Sequence, residues 1–161
     1  MVVLSREDYL YFTDRALAGM VAIVVELGDD RANQRPYPGA NTPYALLHHC
    51  LGVIEAWAGG FIRGRPIERD RDGEFTATGA VAELVGRCET VRRQLRVDVL
   101  AAEPHQFLLH EPPADFLGPP ARLTQGGALQ HVFEELAQHH GQMQTLRDLL
   151  VRVPARPVEI A

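Results

Sequence analysis

The sequence has little that would suit it to nucleic acid, to a membrane or to secretion. Its formal net charge is −5, whereas a protein that binds a phosphate backbone needs a basic surface. No uninterrupted apolar run approaches the ~20 residues that cross a bilayer. The first residues, MVVLSRED, lack the basic and then apolar pattern of a secretory signal. We therefore expect a cytoplasmic protein without a nucleic-acid or membrane partner.

Cysteine is scarce, and lysine is absent. The two cysteines, Cys50 and Cys88, are expected to remain reduced in the cytoplasm, because stable disulfides belong to oxidising compartments. Cys50 falls within an apolar helical pattern, which predicts a buried structural thiol. All sixteen basic residues are arginine, a bias typical of a GC-rich genome.

Strand-type alternation is also missing, and four long segments have the apolar spacing of amphipathic helices instead. They cover about residues 5–27, 42–64, 80–101 and 124–151. With 161 residues, 46% of them hydrophobic, the chain suffices for one domain with a core but is short for two. We predict an all-α fold, a single four-helix bundle domain over residues 1–161 with long inter-helix loops.

The helix ends and the segments between the helices carry turn signals. Gly28 is expected to end the first helix, and Pro43 suits the first turn of the second. Residues 103–123 contain five of the eleven prolines and cannot form a continuous helix. Within them, HEPPADFLGPPARL is a candidate lid over one end of the bundle. The connection RGRPIERDRD is charged and is expected to be solvated.

The stretch HVFEELAQHHGQM, on the fourth predicted helix, contains three histidines and two glutamates. His131, Glu135 and His139 are four residues apart and lie in one column along a helix. Such a column is either a hydrated surface or part of a metal site, since Glu135 and His139 can converge on one ion. His140, however, lies nearer the middle of the apolar stripe. Periodicity alone therefore leaves open which of the two adjacent histidines points inward.

The second predicted helix offers a third ligand. His49 lies roughly 90° from the centre of its apolar stripe and can reach an internal polar pocket, whereas His48 lies almost opposite and is expected to be solvated. His49 with Glu135 and His139 would form a two-histidine, one-carboxylate site with a position open for water or substrate. The pattern is also compatible with a polar surface.

Taken together, YALLHHCLGVIEAW and HVFEELAQHHGQM followed by LRD resemble the DinB/YfiT-like superfamily. The similarity is to an actinobacterial branch related to the metal-binding domain of mycothiol-dependent maleylpyruvate isomerase, and it covers nearly the whole chain. It implies a four-helix bundle with metal ligands at His49, Glu135 and His139, and so it selects His139. Many members have histidine at the position of Glu135; glutamate there resembles the isomerase branch. His140 stands where the family often has arginine.

The resemblance also implies a function. Family members with known activities use a divalent metal to activate a low-molecular-weight thiol. We therefore expect a metal-dependent thiol S-transferase that acts on an electrophilic small molecule, with mycothiol as cosubstrate. Zinc is the expected metal; nickel, manganese or iron would also suit nitrogen and oxygen ligands. The alternatives are a metal-dependent hydrolase and a metal-binding protein without turnover. The isomerase carries an additional C-terminal domain and this chain ends at PARPVEIA, so isomerisation is not expected. A homodimer is expected.

Two further residues are candidates for the site. His131 is expected to be a wall residue or a hydrogen-bonding neighbour of the metal ligands; a fourth ligand or a general base is the alternative. Ligating histidines need an acceptor for their other N–H, which Glu134 or Gln142 would supply. Arg147 lies two turns beyond His139 and is a candidate to bind a carboxylate of substrate or thiol, with a surface ion pair to Asp148 or to a neighbour of Glu135 as the alternative.

Overall fold

Four long helices form the predicted bundle in the computed structural model, which describes residues 4–152. In chain order the helices are α1 (Arg6–Ala32), α2 (Pro43–Ile54) continued by a π-helical segment (Glu55–Ile62), the short α3 (Arg71–Glu74), α4 (Val81–Ala101) and α5 (Gln125–Arg152). A 3₁₀ turn, Ala114–Phe116, interrupts the proline-rich connection. Residues 4–152 contain no β-strand, which confirms the all-α class. Of the predicted domain, residues 1–3 and 153–161 lie outside the described part.

The capping residues explain where the helices begin. The Ser5 side chain accepts a hydrogen bond from the Asp8 backbone at the start of α1, and Thr42 accepts one from Ala45 at the start of α2. The first helix extends past its predicted end. Gly28 does break the helical geometry, with φ of 66°, but the chain resumes the helix and continues to Ala32.

Gly28 and Gly86 form a matched pair for a stability measurement. Gly28 has φ of 66° and ψ of 177°, a region open almost only to glycine, so Gly28→Ala is expected to lower the free energy of unfolding by about 1–3 kcal/mol. Gly86 is exposed within α4. Gly86→Ala is expected to raise the free energy of unfolding by about 0.5–1 kcal/mol. A Cβ at either position meets no atom within 4 Å. Urea titration checks the opposite signs; equal effects would contradict a backbone cause.

The second helix is the centre of the bundle. It packs against α1, α3, α4 and α5, which explains why it is apolar around most of its circumference. The span Pro43–Ile62 is long and apolar enough to cross a membrane by length and composition alone, but most of it is buried inside the protein, as the core helix of a bundle is. The largest fully buried side chains are Trp57, Phe61, Leu17, Met20, Leu46, Leu47, Leu51, Ile54, Leu84, Leu95, Leu136 and Met143.

The glycines that follow Trp57 bring the next connection back onto the helix. A Cβ at Gly59 would lie 2.6 Å from the Arg65 guanidinium, and one at Gly60 would lie 2.2 Å from the Ile67 side chain. The wide π-helical turns that contain both glycines therefore leave room for residues 65–67 to pack directly on the helix. This return places α3 beside the middle of α2.

Candidate metal centre

Three side chains from two helices converge between α2 and α5. The ligand atoms of His49, Glu135 and His139 all lie within 4.8 Å of one another. His49 Nε2 lies 3.1 Å from Glu135 Oε2, and His139 Nε2 lies 3.4 Å from the same oxygen. Ligand atoms ~2.0–2.1 Å from a tetrahedral ion are ~3.3 Å apart, so this spacing fits a divalent metal. The structure thus brings together the three ligands predicted from the sequence.

The cluster is closed on the α2 side and open on the α5 side. The His49 side chain is only 3% exposed, and its ring packs against Phe75 at 4.5 Å between ring centres. Glu135 and His139 are more accessible, with 23% and 19% of their side chains exposed. The α5 side of the cluster is therefore partly accessible to solvent, whereas the α2 side is not.

The outer nitrogens of both histidines already have acceptors. His49 Nδ1 lies 2.8 Å from Glu74 Oε2, and His139 Nδ1 lies 2.9 Å from Gln142 Oε1. When each Nδ1–H donates to these oxygens, each Nε2 is left with its lone pair directed into the cluster. Both the distances between the ligand atoms and the Nδ1–H tautomer of the two histidines therefore suit a metal ion. Gln142 was one of the two acceptors that the sequence suggested; Glu74 was not.

The expectation that RGRPIERDRD is solvated is wrong for Arg69. Its side chain is 4% exposed and pairs with Glu74, which is 6% exposed. Burial is tolerated because the two charges neutralise each other and Glu74 also accepts from His49. One sequence signal could have indicated this contact: Gly52 lies in the middle of α2, where glycine is costly without a packing reason, and its missing Cβ makes room for Glu74.

The charges of the cluster stabilise one another. When Nε2 carries a proton in place of a metal, hydrogen bonds from His139 and His49 hold the pKa of Glu135 well below its usual range, so this carboxylate is ionised. Burial alone would lower the pKa of His49, but hydrogen bonds to Glu135 and Glu74 outweigh burial and raise it. A proton on His49 therefore competes with a metal ion for the same nitrogen, and metal binding is expected to release it.

His131 lies beside the cluster rather than in it. Its Nε2 is 3.9 Å from Glu135 Oε1, and its ring packs edge-on against Trp57 with 4.5 Å between ring centres. Its Nδ1 lies 3.5 Å from a Glu134 oxygen but has no hydrogen-bond partner within residues 4–152. His131 therefore adjoins Glu135 without being one of the three converging residues.

The neighbouring histidines point elsewhere. His140 packs on α1 at Gly19, where a Cβ would lie 2.2 Å from its Nε2. His48 is half-buried rather than solvated, because α3 and α4 enclose this side of α2. The His48 Nδ1 is buried and lacks a hydrogen bond to any described residue.

Arg147 lies on the side of α5 that faces α1. Its guanidinium is 2.8 Å from Asp148 and 3.5 Å from Glu26. These contacts are those of the ion-pair alternative, and they do not include a residue of the cluster.

The proline-rich connection, which contains the candidate lid, packs over the Trp57 end of the bundle. Phe116 packs against Phe61 with 5.8 Å between ring centres, and a Cβ at Gly118 would lie 2.5 Å from the Trp57 ring.

A separate cavity of about 700 Å³ adjoins Glu74 and Arg69 and is not lined by any of the three cluster residues.

Comparison with known proteins agrees with this architecture. A family model described as the DinB superfamily matches residues 13–143. Among solved structures, the chain is similar to the crystal structure of a conserved protein from Enterococcus faecalis, with a TM-score of 0.67 and 14% identity over 93% of this chain and 99% of that one. Identity this low shows a common fold alone. A search of curated proteins found no match.

Proposed function

The chain belongs to the DinB superfamily, and from this premise we propose that it is a divalent-metal-binding protein that acts as a metal-dependent thiol S-transferase. The observation that supports the proposal is the convergence of His49, Glu135 and His139, with both outer imidazole nitrogens already bonded and one side open. The resemblance to the maleylpyruvate isomerase branch favours mycothiol as the thiol. Zinc is the metal we propose, since two imidazoles and one carboxylate suit it.

Each residue of the site has a definite task in this proposal. A bound divalent ion supplies positive charge that lowers the pKa of a thiol or water beside it. His49 and His139 are held in orientation by Glu74 and Gln142, and Glu135 contributes the one negative charge of the triad. His131, whose ring lies against Trp57, is the residue we propose to take up the proton that the thiol loses.

The nucleophile has to come from the cosubstrate. Both cysteines are buried and free. Burial raises the pKa of Cys50 well above its usual value and raises that of Cys88 to about 11, so both thiols stay protonated at neutral pH. A thiol in that state is a poor nucleophile, and an exogenous thiol supplies the missing sulfur.

The proposal is tested with the cobalt-substituted protein. Addition of mycothiol is expected to change the visible absorption of cobalt and, with an electrophile such as a halogenated nitrobenzene, to be followed by loss of free thiol. The control is His131→Gln, which should keep the cobalt spectrum and slow thiol consumption.

Two other outcomes would replace the proposal. Turnover of activated esters without any thiol would indicate a hydrolase. A lower melting temperature on metal removal, with no response to thiols or electrophiles, would indicate a structural metal.

A further inference from the structure

A buried ion pair contacts the metal centre from outside the triad. Arg69 Nε lies 2.7 Å from Glu74 Oε1 and Arg69 Nη2 lies 2.9 Å from Glu74 Oε2, so the guanidinium holds the carboxylate with two hydrogen bonds. Glu74 Oε2 is also the acceptor for His49 Nδ1, at 2.8 Å. Such a fork fixes the plane of a carboxylate as well as its position.

The surrounding chain is shaped to hold this pair. The Asp70 side chain accepts from the Gly73 backbone and so starts α3, the single turn that ends in Glu74. A Cβ at Gly52 would lie 2.1 Å from Glu74 Oε1, so glycine at this position of α2 lets the carboxylate lie against the helix. The Arg69 guanidinium is covered in turn by the ring of Phe116, 5.0 Å away.

Stability alone is a weak reason for such an arrangement. Removing two charges from water costs several kcal/mol per ion, and the attraction between them often does no more than offset it. Interactions that orient a metal-binding histidine are a better reason, because a ligand with a fixed ring and a fixed tautomer loses less freedom when it binds.

We infer that Glu74, held by Arg69, is the positioning residue for His49: it keeps Nε2 of His49 directed at Glu135 and His139. The inference rests on the proposed metal site. Loss of such a partner typically weakens metal binding 10–100-fold, and we expect an effect of this size although Glu74 touches none of the space that the ion would fill.

Two variants and one control test the inference. Cobalt affinity is measured by chelator competition for Glu74→Ala, for the isosteric Glu74→Gln, and for Glu68→Gln, which alters an exposed carboxylate on the same connection. We expect binding about 10–100-fold weaker in Glu74→Ala. Glu74→Gln should be intermediate, because its amide oxygen still accepts from His49 while Arg69 loses its ionic partner. Glu68→Gln should match the unaltered protein.

Nitrogen NMR of the metal-free protein supplies a readout that a merely structural role would not move. At alkaline pH, where imidazole is neutral, His49 is expected to carry its proton on Nδ1 and to shift toward the Nε2–H tautomer in both Glu74 variants. An unchanged tautomer with cobalt affinity within threefold of the unaltered protein would overturn the inference. If the unaltered protein bound no cobalt, the proposed function would fail while the tautomer would still report on Glu74. If Glu74→Ala does not fold, Glu74→Gln decides.

Discussion

Replacement of both His49 and His139 by alanine is expected to abolish stoichiometric metal binding. The double variant leaves a single carboxylate, Glu135, which cannot hold a transition ion against water and buffer. Binding sites of this type need three protein ligands. Elemental analysis of the purified proteins checks the result: metal in proportion to protein for the unaltered chain, and background for the variant. Circular dichroism should show that the helices remain.

A matched control comes from the adjacent histidines. The variant His48→Ala, His140→Ala removes two histidines from the same two helices, next to the proposed ligands but directed away from them. It should retain stoichiometric metal. Loss of metal in this control, or metal retained when His49 and His139 are absent, would show that the ion lies elsewhere.

The choice between His139 and His140 shows where the helical pattern stops being informative. The apolar stripe of α5 packs against both α1 and α2. A residue near the centre of the stripe can therefore face either helix. His140 lies on the α1 side, against Gly19, and His139 lies on the α2 side, with its ring 5.0 Å from that of His49. Periodicity predicts which residues are buried, but which helix each side of the stripe packs against depends on how the helices are arranged.

The Arg69–Glu74 pair has no signal within its own segment, and the one indication of it is the distant Gly52 in α2. A charged residue in a polar connection has no local signal of burial, since its partner is what makes burial tolerable. Glu74 is 25 positions from His49 in sequence, and the contact depends on the return of the chain over Gly59 and Gly60. By contrast, the helices follow from apolar spacing within single segments, whereas the choice of His49, Glu135 and His139 as candidate ligands came from the resemblance to the DinB/YfiT-like superfamily.

Replacement of Trp57 by alanine is expected to cost about 3–5 kcal/mol of the free energy of unfolding, as large aromatic truncations in cores do. The ring is 1% exposed and packs edge-on against Phe61, at 5.2 Å between ring centres, and against His131. Removing it leaves a cavity where α2, α5 and the proline-rich connection meet. The total free energy of unfolding of such a domain is about 5–15 kcal/mol. The variant should therefore unfold at a much lower urea concentration than the unaltered protein.

A control shows that the loss of stability comes from the burial of Trp57 and not from the loss of any aromatic side chain. Tyr37→Ala removes a side chain that is 55% exposed in a loop, so its cost should stay within about 0.5 kcal/mol. Trp57→Phe should fall between the two, because the smaller ring keeps part of the contact with Phe61. If Trp57→Ala and Tyr37→Ala unfolded at the same urea concentration, Trp57 would not contribute to the core. Because the three proposed metal ligands do not include Trp57, folded Trp57→Ala should still bind metal. A parallel loss of metal would mean that the wall formed with His131 holds the proposed ligands in place.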